Sequence, residues 1–134
     1  MNILIVDAQG GGIGRQLVTA IKQNIPEGVI TAVGTNSAAT SAMLKAGADT
    51  AATGENAVVV CSRKADVIIG PIGIVIADSL YGEITPKMAA AIGQSNAKKI
   101  LIPINHCDNI VVGVSDFNIS RLLQGVIEEV RKCC

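Results

Sequence analysis

Residues 1–15 read MNILIVDAQGGGIGR, and their pattern indicates the fold class of the chain. Its first half, Asn2–Asp7, is an apolar run typical of a buried β-strand. Four glycines follow within five residues, and an amphipathic helical pattern begins at Ile13. A buried strand that enters a helix through a glycine-rich turn predicts the first β–α unit of a parallel sheet.

The rest of the chain repeats this alternation, because short runs rich in Ile and Val are separated by helical patterns. Such an order is typical of βαβ units around a parallel sheet that is covered on both faces. The predicted strands are Asn2–Asp7, Val29–Val33, Asp49–Ala52, Asp66–Gly70, Lys99–Ile104 and Ile110–Val114. The predicted helices are Ile13–Gln23, Ser37–Ala46, Glu55–Arg63, one from Pro86 to Gln94 capped by Thr85, and a last one from Ile119 to Val130.

The last two predicted strands are joined by residues 105–109 alone, whereas a parallel crossover needs about a dozen residues or more. We therefore expect these two strands to form an antiparallel hairpin. Right-handed crossovers then favour an α/β, three-layer, Rossmann-like fold with a mostly parallel sheet in the order 3-2-1-4-5 and the antiparallel strand at its edge. A length of 134 residues predicts a single domain over residues 1–134.

Composition narrows the classes of partner. The chain has 11 basic and 11 acidic residues without a run of either sign, one Tyr, one Phe and no Trp. We therefore expect no nucleic-acid partner, because the sequence offers neither a basic surface nor aromatic stacking platforms. The N-terminal segment fits neither a membrane span nor an export signal, which predicts a cytoplasmic protein. Four cysteines without ligand spacing predict reduced thiols and no metal site.

The glycine-rich turn is the strongest chemical signal. Glycines permit a positive φ, let the backbone approach a phosphate, and expose N–H groups at a helix N-terminus that favours anions. The other interpretation is a tight turn with close strand–helix packing and no ligand. The candidate ligand residues in this turn are Gly10, Gly11, Gly12, Ile13, Gly14 and Arg15.

Further candidates follow other predicted strands. Thr35 and Asn36 follow the second strand, where a dinucleotide site usually has an acidic residue for the ribose; they are either ribose contacts or a helix N-cap. Gly70, Pro71 and Gly73 lie at the end of the fourth strand and either face a ligand or form a sharp turn.

Several further polar residues are predicted at the same end of the sheet. Asn105 is a candidate ligand residue, and His106 and Cys107 beside it are either reactive groups or part of a polar turn. Asp78 and Glu83 are candidate acid or base groups if their side chains turn inward. In the alternative interpretation, both carboxylates are exposed to solvent in a loop.

The residues from Val6 to Arg15, VDAQGGGIGR, resemble the cofactor loop of short-chain dehydrogenases, which commonly reads VTGAGSGIGR. The match departs from that loop at Asp7 and Ala8, which replace its threonine and its first glycine. The chain lacks the YxxxK motif of that family, because its one tyrosine, Tyr81, is followed four positions later by Thr85 instead of lysine. The resemblance therefore implies NAD(P) or another nucleotide as the cofactor, without that family's hydride chemistry.

The whole chain also resembles a family of small bacterial Rossmann-like proteins known as a domain of unknown function. Residues 70–92, GPIGIVIADSLYGEITPKMAAAI, carry this resemblance, which implies a fold and no activity.

Three functions remain open: a module that binds a nucleotide or a phosphorylated small molecule, a compact enzyme, or a structural oligomer without ligand. The enzyme would use Asp7, Asp78, Asn105 and His106 at the carboxyl ends of the strands. Hydrophobic residues form 49% of the chain, an excess that predicts a homo-oligomer, most simply a dimer. The expected interface is the apolar segment Ile74–Ala77 with Leu80, next to Tyr81.

Overall fold

A five-stranded parallel sheet in the order β3-β2-β1-β4-β5 forms the centre of the molecule. The structure is a computed structural model and describes residues 1–104, 108–114 and 118–133. The strands are β1 (Asn2–Asp7), β2 (Val29–Gly34), β3 (Thr50–Thr53), β4 (Val67–Pro71) and β5 (Lys98–Ile102). The helices are α1 (Gly12–Asn24), α2 (Ser37–Lys45), α3 (Glu55–Ser62), α4 (Pro86–Gln94) and α5 (Ile119–Cys133), and a short 3-10 helix covers Ile72–Val75.

The central strand β1 divides the core into two layers. Ile3 and Ile5 belong to the cluster covered by α1 and α5, whereas Leu4 and Val6 belong to the cluster covered by α3 and α4. Successive side chains of a strand point to opposite faces, so one apolar run fills both layers. Strand order, parallel pairing and helices on both faces confirm the predicted Rossmann-like α/β fold.

The predicted helix starts are also observed. The Asn36 side chain accepts a hydrogen bond of 2.9 Å from the backbone N–H of Ala39 and so caps α2. The Thr85 hydroxyl accepts one of 3.2 Å from the N–H of Met88 and caps α4, whose first residue is Pro86. Both helices begin at the carboxyl end of the sheet, where the loops that surround the candidate site are found.

The predicted antiparallel edge strand at Ile110–Val114 is wrong. Residues 108–114, as far as the structure describes this region, contain no strand, and β5 is an edge strand of the described sheet. The Val114 N–H donates to the Val111 carbonyl across a turn, and Gly113 has a φ of +91° there, which interrupts an extended chain. Ile110 and Val112 are 87% and 93% exposed, so this apolar run has no buried face that would stabilise a strand.

The described helices also lack the length and hydrophobicity of a membrane span. Within residues 1–104, 108–114 and 118–133, no helix is long and apolar enough to cross a membrane.

Candidate functional site

Asp7 ends the central strand and lies under the first turn of α1. Its carboxylate accepts a hydrogen bond of 2.8 Å from the N–H of Ala8 and one of 2.7 Å from the N–H of Gly14. The N-cap residue of α1 is Gly11, which has no side chain to accept such a bond. Asp7 therefore supplies the capping acceptor from the strand, and its negative charge lies at the positive end of the helix.

Gly11 and Gly14 have a packing role in the turn. Gly11 has a φ of +74°, and a Cβ on it would lie 2.8 Å from the Cα of Ala39 in α2. A Cβ on Gly14 would lie 2.5 Å from the sulfur of Met43 and 2.9 Å from the Cβ of Asp7. These two glycines let α1 approach β1 and α2 more closely than any larger residue allows.

Gly10 and Gly12 differ from them, because a Cβ on either residue would meet nothing within 4 Å. Both line a cleft of about 190 Å³ at the carboxyl end of β1. In the described part of the chain, the backbone N–H groups of Gly10, Gly12 and Ile13 donate no hydrogen bond. The cleft is lined by Asp7, Ala8, Gln9, Gly10, Gly11, Gly12, Ile13, Gln16 and Leu80.

The segment after the 3-10 helix closes one side of this cleft. Leu80 is 2% exposed and packs into the core that also holds Ile84. Asp78, Leu80 and Tyr81 have φ values of +64°, +56° and +58°, a left-handed conformation that costs on the order of 1 kcal/mol for each residue. The N–H of Asp78 donates to the Ile84 carbonyl at 2.8 Å, which closes the segment on itself. Burial of the Leu80 and Ile84 side chains offsets this backbone strain.

Glu83 joins this segment to the ends of β1 and β2. Its Oε1 accepts hydrogen bonds from the N–H of Gln9 at 3.0 Å, the hydroxyl of Thr35 at 2.6 Å and the Nδ2 of Asn36 at 2.8 Å. Asn36 Nδ2 also donates to the Gln9 carbonyl at 2.9 Å. Gln9 has a φ of +54°, so its unfavourable backbone conformation is held by partners on both its N–H and its carbonyl.

The two carboxylates have pKa values shifted in opposite directions. Burial raises the pKa of Asp7; the hydrogen bonds from Gly14 and Ala8 oppose this shift, and the charge of Glu83 adds to it. Burial also raises the pKa of Glu83, but the hydrogen bonds from Thr35, Gln9 and Asn36 together lower it by more, so its pKa lies below the usual range. The hydrogen bonds to Glu83 thus favour its ionised form, whereas burial makes the ionised form of Asp7 less favourable.

The predicted ligand residues are only partly brought together. Gly10, Gly11, Gly12 and Ile13 line the cleft, and the N–H of Gly14 is already bonded to Asp7. Arg15 instead lines an open groove between α1 and α2, together with Lys45.

Thr35 and Asn36 lie beside the cleft, where both hold Glu83. Gly70, Pro71 and Gly73 are buried and are not among the described lining residues of the cleft. A Cβ on Gly70 would collide with the carbonyl oxygen of Val6, so the close approach of β4 to β1 explains this glycine.

The other polar candidates are Asp78 and the group around His106. Asp78 is exposed, and Asn105, His106 and Cys107 lie outside the described residues. Among the described residues, no group of three or more His, Cys, Asp or Glu side chains could hold a metal ion. The interface predicted at Ile74–Ala77 with Leu80 needs correction. Ile74 and Leu80 are buried in the core of their own chain, so neither side chain is available to a second subunit.

The sequence did not predict Ala8, Gln9, Gln16 or Leu80 as lining residues, and it left open whether Glu83 turns inward. The residues Gln9 and Glu83 are 74 positions apart, so no local pattern reports their contact. The run of left-handed residues before Glu83 carries no glycine except Gly82, which removes the usual signal of a tight turn.

Comparison with known proteins gives a family and a fold. The chain belongs to the family described as domain of unknown function DUF3842, whose model matches residues 2–134. No curated protein matches the sequence. Among solved structures, a similar fold occurs in a dodecameric FMN-dependent UbiX-like decarboxylase from Escherichia coli O157:H7, with a TM-score of 0.51 and 16% identity over 99% of this chain and 76% of that chain. At that identity the likeness supports the fold alone.

Proposed function

We propose that this member of the DUF3842 family binds the phosphate group of a nucleotide or phosphorylated small molecule in the glycine cleft after β1. The observation that carries the proposal is the pair Gly10 and Gly12, which are glycine although the fold leaves room for a side chain at both positions. A ligand that comes close to the backbone explains this choice. The N–H groups of Gly10, Gly12 and Ile13 would be its donors.

The ligand phosphate would share the helix N-terminus with Asp7. Since Asp7 already occupies the N–H of Gly14, the phosphate would take the donors nearer the cleft mouth. The two negative charges would repel each other, so binding is expected to raise the pKa of Asp7 further. This arrangement predicts moderate affinity and a ligand held by backbone dipoles rather than by Arg15.

The size of the cleft favours a small ligand. Sites for drug-sized molecules usually have about 300–1,000 Å³, whereas this cleft has about 190 Å³. A phosphate with its attached sugar would fill it, and the rest of the ligand would lie on the rim. A mononucleotide therefore fits better than NAD(P). FMN belongs among the ligands to test, because the structural neighbour is described as FMN-dependent.

The proposal is tested by thermal unfolding in the presence of AMP, GMP, CMP, UMP, FMN, NAD⁺ or NADP⁺. A ligand that binds only the folded state raises its stability by about 2.7 kcal/mol at a hundredfold excess over Kd. We expect at least one mononucleotide to raise the midpoint temperature of wild type and to have no effect on Gly12→Val, in which two methyl groups enter the cleft.

Gly93→Val is the matched control, because Gly93 is also an exposed helical glycine with open space around it. This variant should keep the wild-type response. An equal response of Gly12→Val and wild type would contradict the proposed location, and no response to any ligand of the panel would contradict the proposed function.

We also propose that the chain forms a homo-oligomer, most simply a dimer, in the cytoplasm. Three large apolar residues on loops after β4 and β5, Tyr81, Ile110 and Val112, are 94%, 87% and 93% exposed. The structural neighbour is described as dodecameric. Sedimentation equilibrium of wild type should give a mass above the 13.7 kDa of one chain. The variant Val112→Asp should have a lower mass than wild type, because a charge would enter the interface. A monomeric wild type would refute the proposal.

A further inference from the structure

Glu83 uses its two carboxylate oxygens unequally. Oε1 accepts all three hydrogen bonds, from Gln9, Thr35 and Asn36. Oε2 accepts none from the described residues. Because the three donors come from two different turns, they hold the carboxylate in one orientation, with an anionic oxygen left for another donor.

This carboxylate lies where a nucleotide-binding sheet places its sugar contact. In Rossmann-like sheets an acidic residue at the end of the second strand accepts hydrogen bonds from the ribose hydroxyls. Here β2 is followed by the neutral residues Thr35 and Asn36. Glu83 arrives from the segment after β4 and brings a negative charge to the same place, beside the cleft that Gln9 lines.

Thr35 and Asn36 cannot easily serve as the sugar contacts themselves. The Thr35 hydroxyl proton is donated to Glu83. Asn36 uses Oδ1 to cap α2 and Nδ2 to bond Glu83 and the Gln9 carbonyl. Both residues therefore act as positioning residues for the carboxylate.

We propose that Oε2 of Glu83 accepts hydrogen bonds from the 2′- and 3′-hydroxyls of a ribose, so that the site selects ribonucleoside 5′-phosphates over analogues without these hydroxyls. The inference rests on the proposed phosphate site in the glycine cleft and names the ligand class of that site. The ribose would lie between the glycine turn and Glu83, with the base on the rim.

A purely structural role is the competing explanation, in which Glu83 only attaches the segment after β4 to the two turns. The variant Glu83→Gln separates the two roles. A glutamine carbonyl oxygen still accepts the three structural hydrogen bonds, whereas its amide group replaces the anionic oxygen. Glu27→Gln, at an exposed position before β2, is the matched control.

The experiment is isothermal titration calorimetry of wild type and both variants with AMP, GMP, CMP, UMP and FMN. The tightest ribonucleoside monophosphate is then compared with its 2′,3′-dideoxy analogue. We expect wild type and Glu27→Gln to bind the ribonucleotide about tenfold more tightly, since hydrogen bonds to a charged group are stronger than neutral ones. In Glu83→Gln most of this preference should be lost, with the affinity for the dideoxy analogue unchanged.

Equal affinity of wild type for both ligands overturns the inference and leaves the phosphate site intact, as does a preference that persists in Glu83→Gln. Binding of FMN without any ribonucleoside monophosphate has the same meaning. If no ligand binds wild type, the phosphate site fails as well. Should Glu83→Gln not fold, wild type still tests the inference, because equal affinities for the ribonucleotide and its dideoxy analogue would overturn it.

Discussion

The two faces of the β1–α1 turn differ in what their glycines do. On the inner face, Gly11 and Gly14 contact α2 and β1 so closely that no side chain fits. On the outer face, Gly10 and Gly12 border open space and line a cleft. The same turn thus meets a packing requirement at Gly11 and Gly14 and contains the proposed binding site at Gly10 and Gly12. Substitutions at the two pairs can therefore test packing and binding separately.

The largest expected effect lies on the inner face. Gly11→Ala places a Cβ 2.8 Å from the Cα of Ala39 and keeps an unfavourable φ. We expect it to lower the free energy of unfolding by about 3 kcal/mol, measured by urea denaturation. Gly12→Ala, the matched variant on the outer face, should stay within about 0.5 kcal/mol of wild type. Equal losses in the two variants would show that both faces are structural.

Stability measured as a function of pH tests the raised pKa of Asp7, whose carboxylate lies beneath the β1–α1 turn. Because burial raises the pKa of Asp7, the folded protein holds this proton more tightly than the unfolded chain. Ionisation of Asp7 therefore lowers the free energy of unfolding as the pH rises from about 4, where a free aspartate ionises, through the raised pKa. Urea denaturation at stepped pH should show that wild type loses stability relative to Asp7→Asn over this range. A constant difference between the two would contradict the assignment.

The same substitution should affect binding on the outer face. Asp7→Asn removes a negative charge below the proposed phosphate site, and we expect the affinity for the bound mononucleotide to rise about fivefold. Titration calorimetry of wild type and Asp7→Asn measures this change. A loss of affinity instead would mean that the Asp7 carboxylate contacts the ligand favourably.

The smallest expected effect concerns Arg15, which follows the last glycine in the sequence but lines the groove between α1 and α2. Arg15→Ala should weaken mononucleotide binding by less than about twofold, because its charge acts only through solvent. A loss of tenfold or more would show that Arg15 reaches the cleft when a ligand is bound.

The fold was predictable because each element carries its own periodic pattern. The apolar run at Asn2–Asp7 and the cap at Thr85 both specify local structure that the sheet then assembles. The run at Ile110–Val114 misled because it has the composition of a strand, whereas strand formation also needs a partner and a buried face.

The candidate site was predictable only in part. The glycines mark the turn, but spacing alone does not separate Gly12, which faces open space, from Gly14, which meets Met43. Glu83 is 48 residues from Thr35, and the fold alone brings them together. The carboxylate that was missing after β2 in the sequence is thus supplied by a distant segment.

The most direct test of the central claim is a titration of ¹⁵N-labelled protein with the mononucleotide that binds, followed by amide chemical shifts. We expect the resonances of Gly10, Gly12 and Ile13 to move most and to saturate with one Kd. Largest shifts at Thr19 and Lys45, in the groove between α1 and α2, would place the ligand elsewhere and contradict this claim.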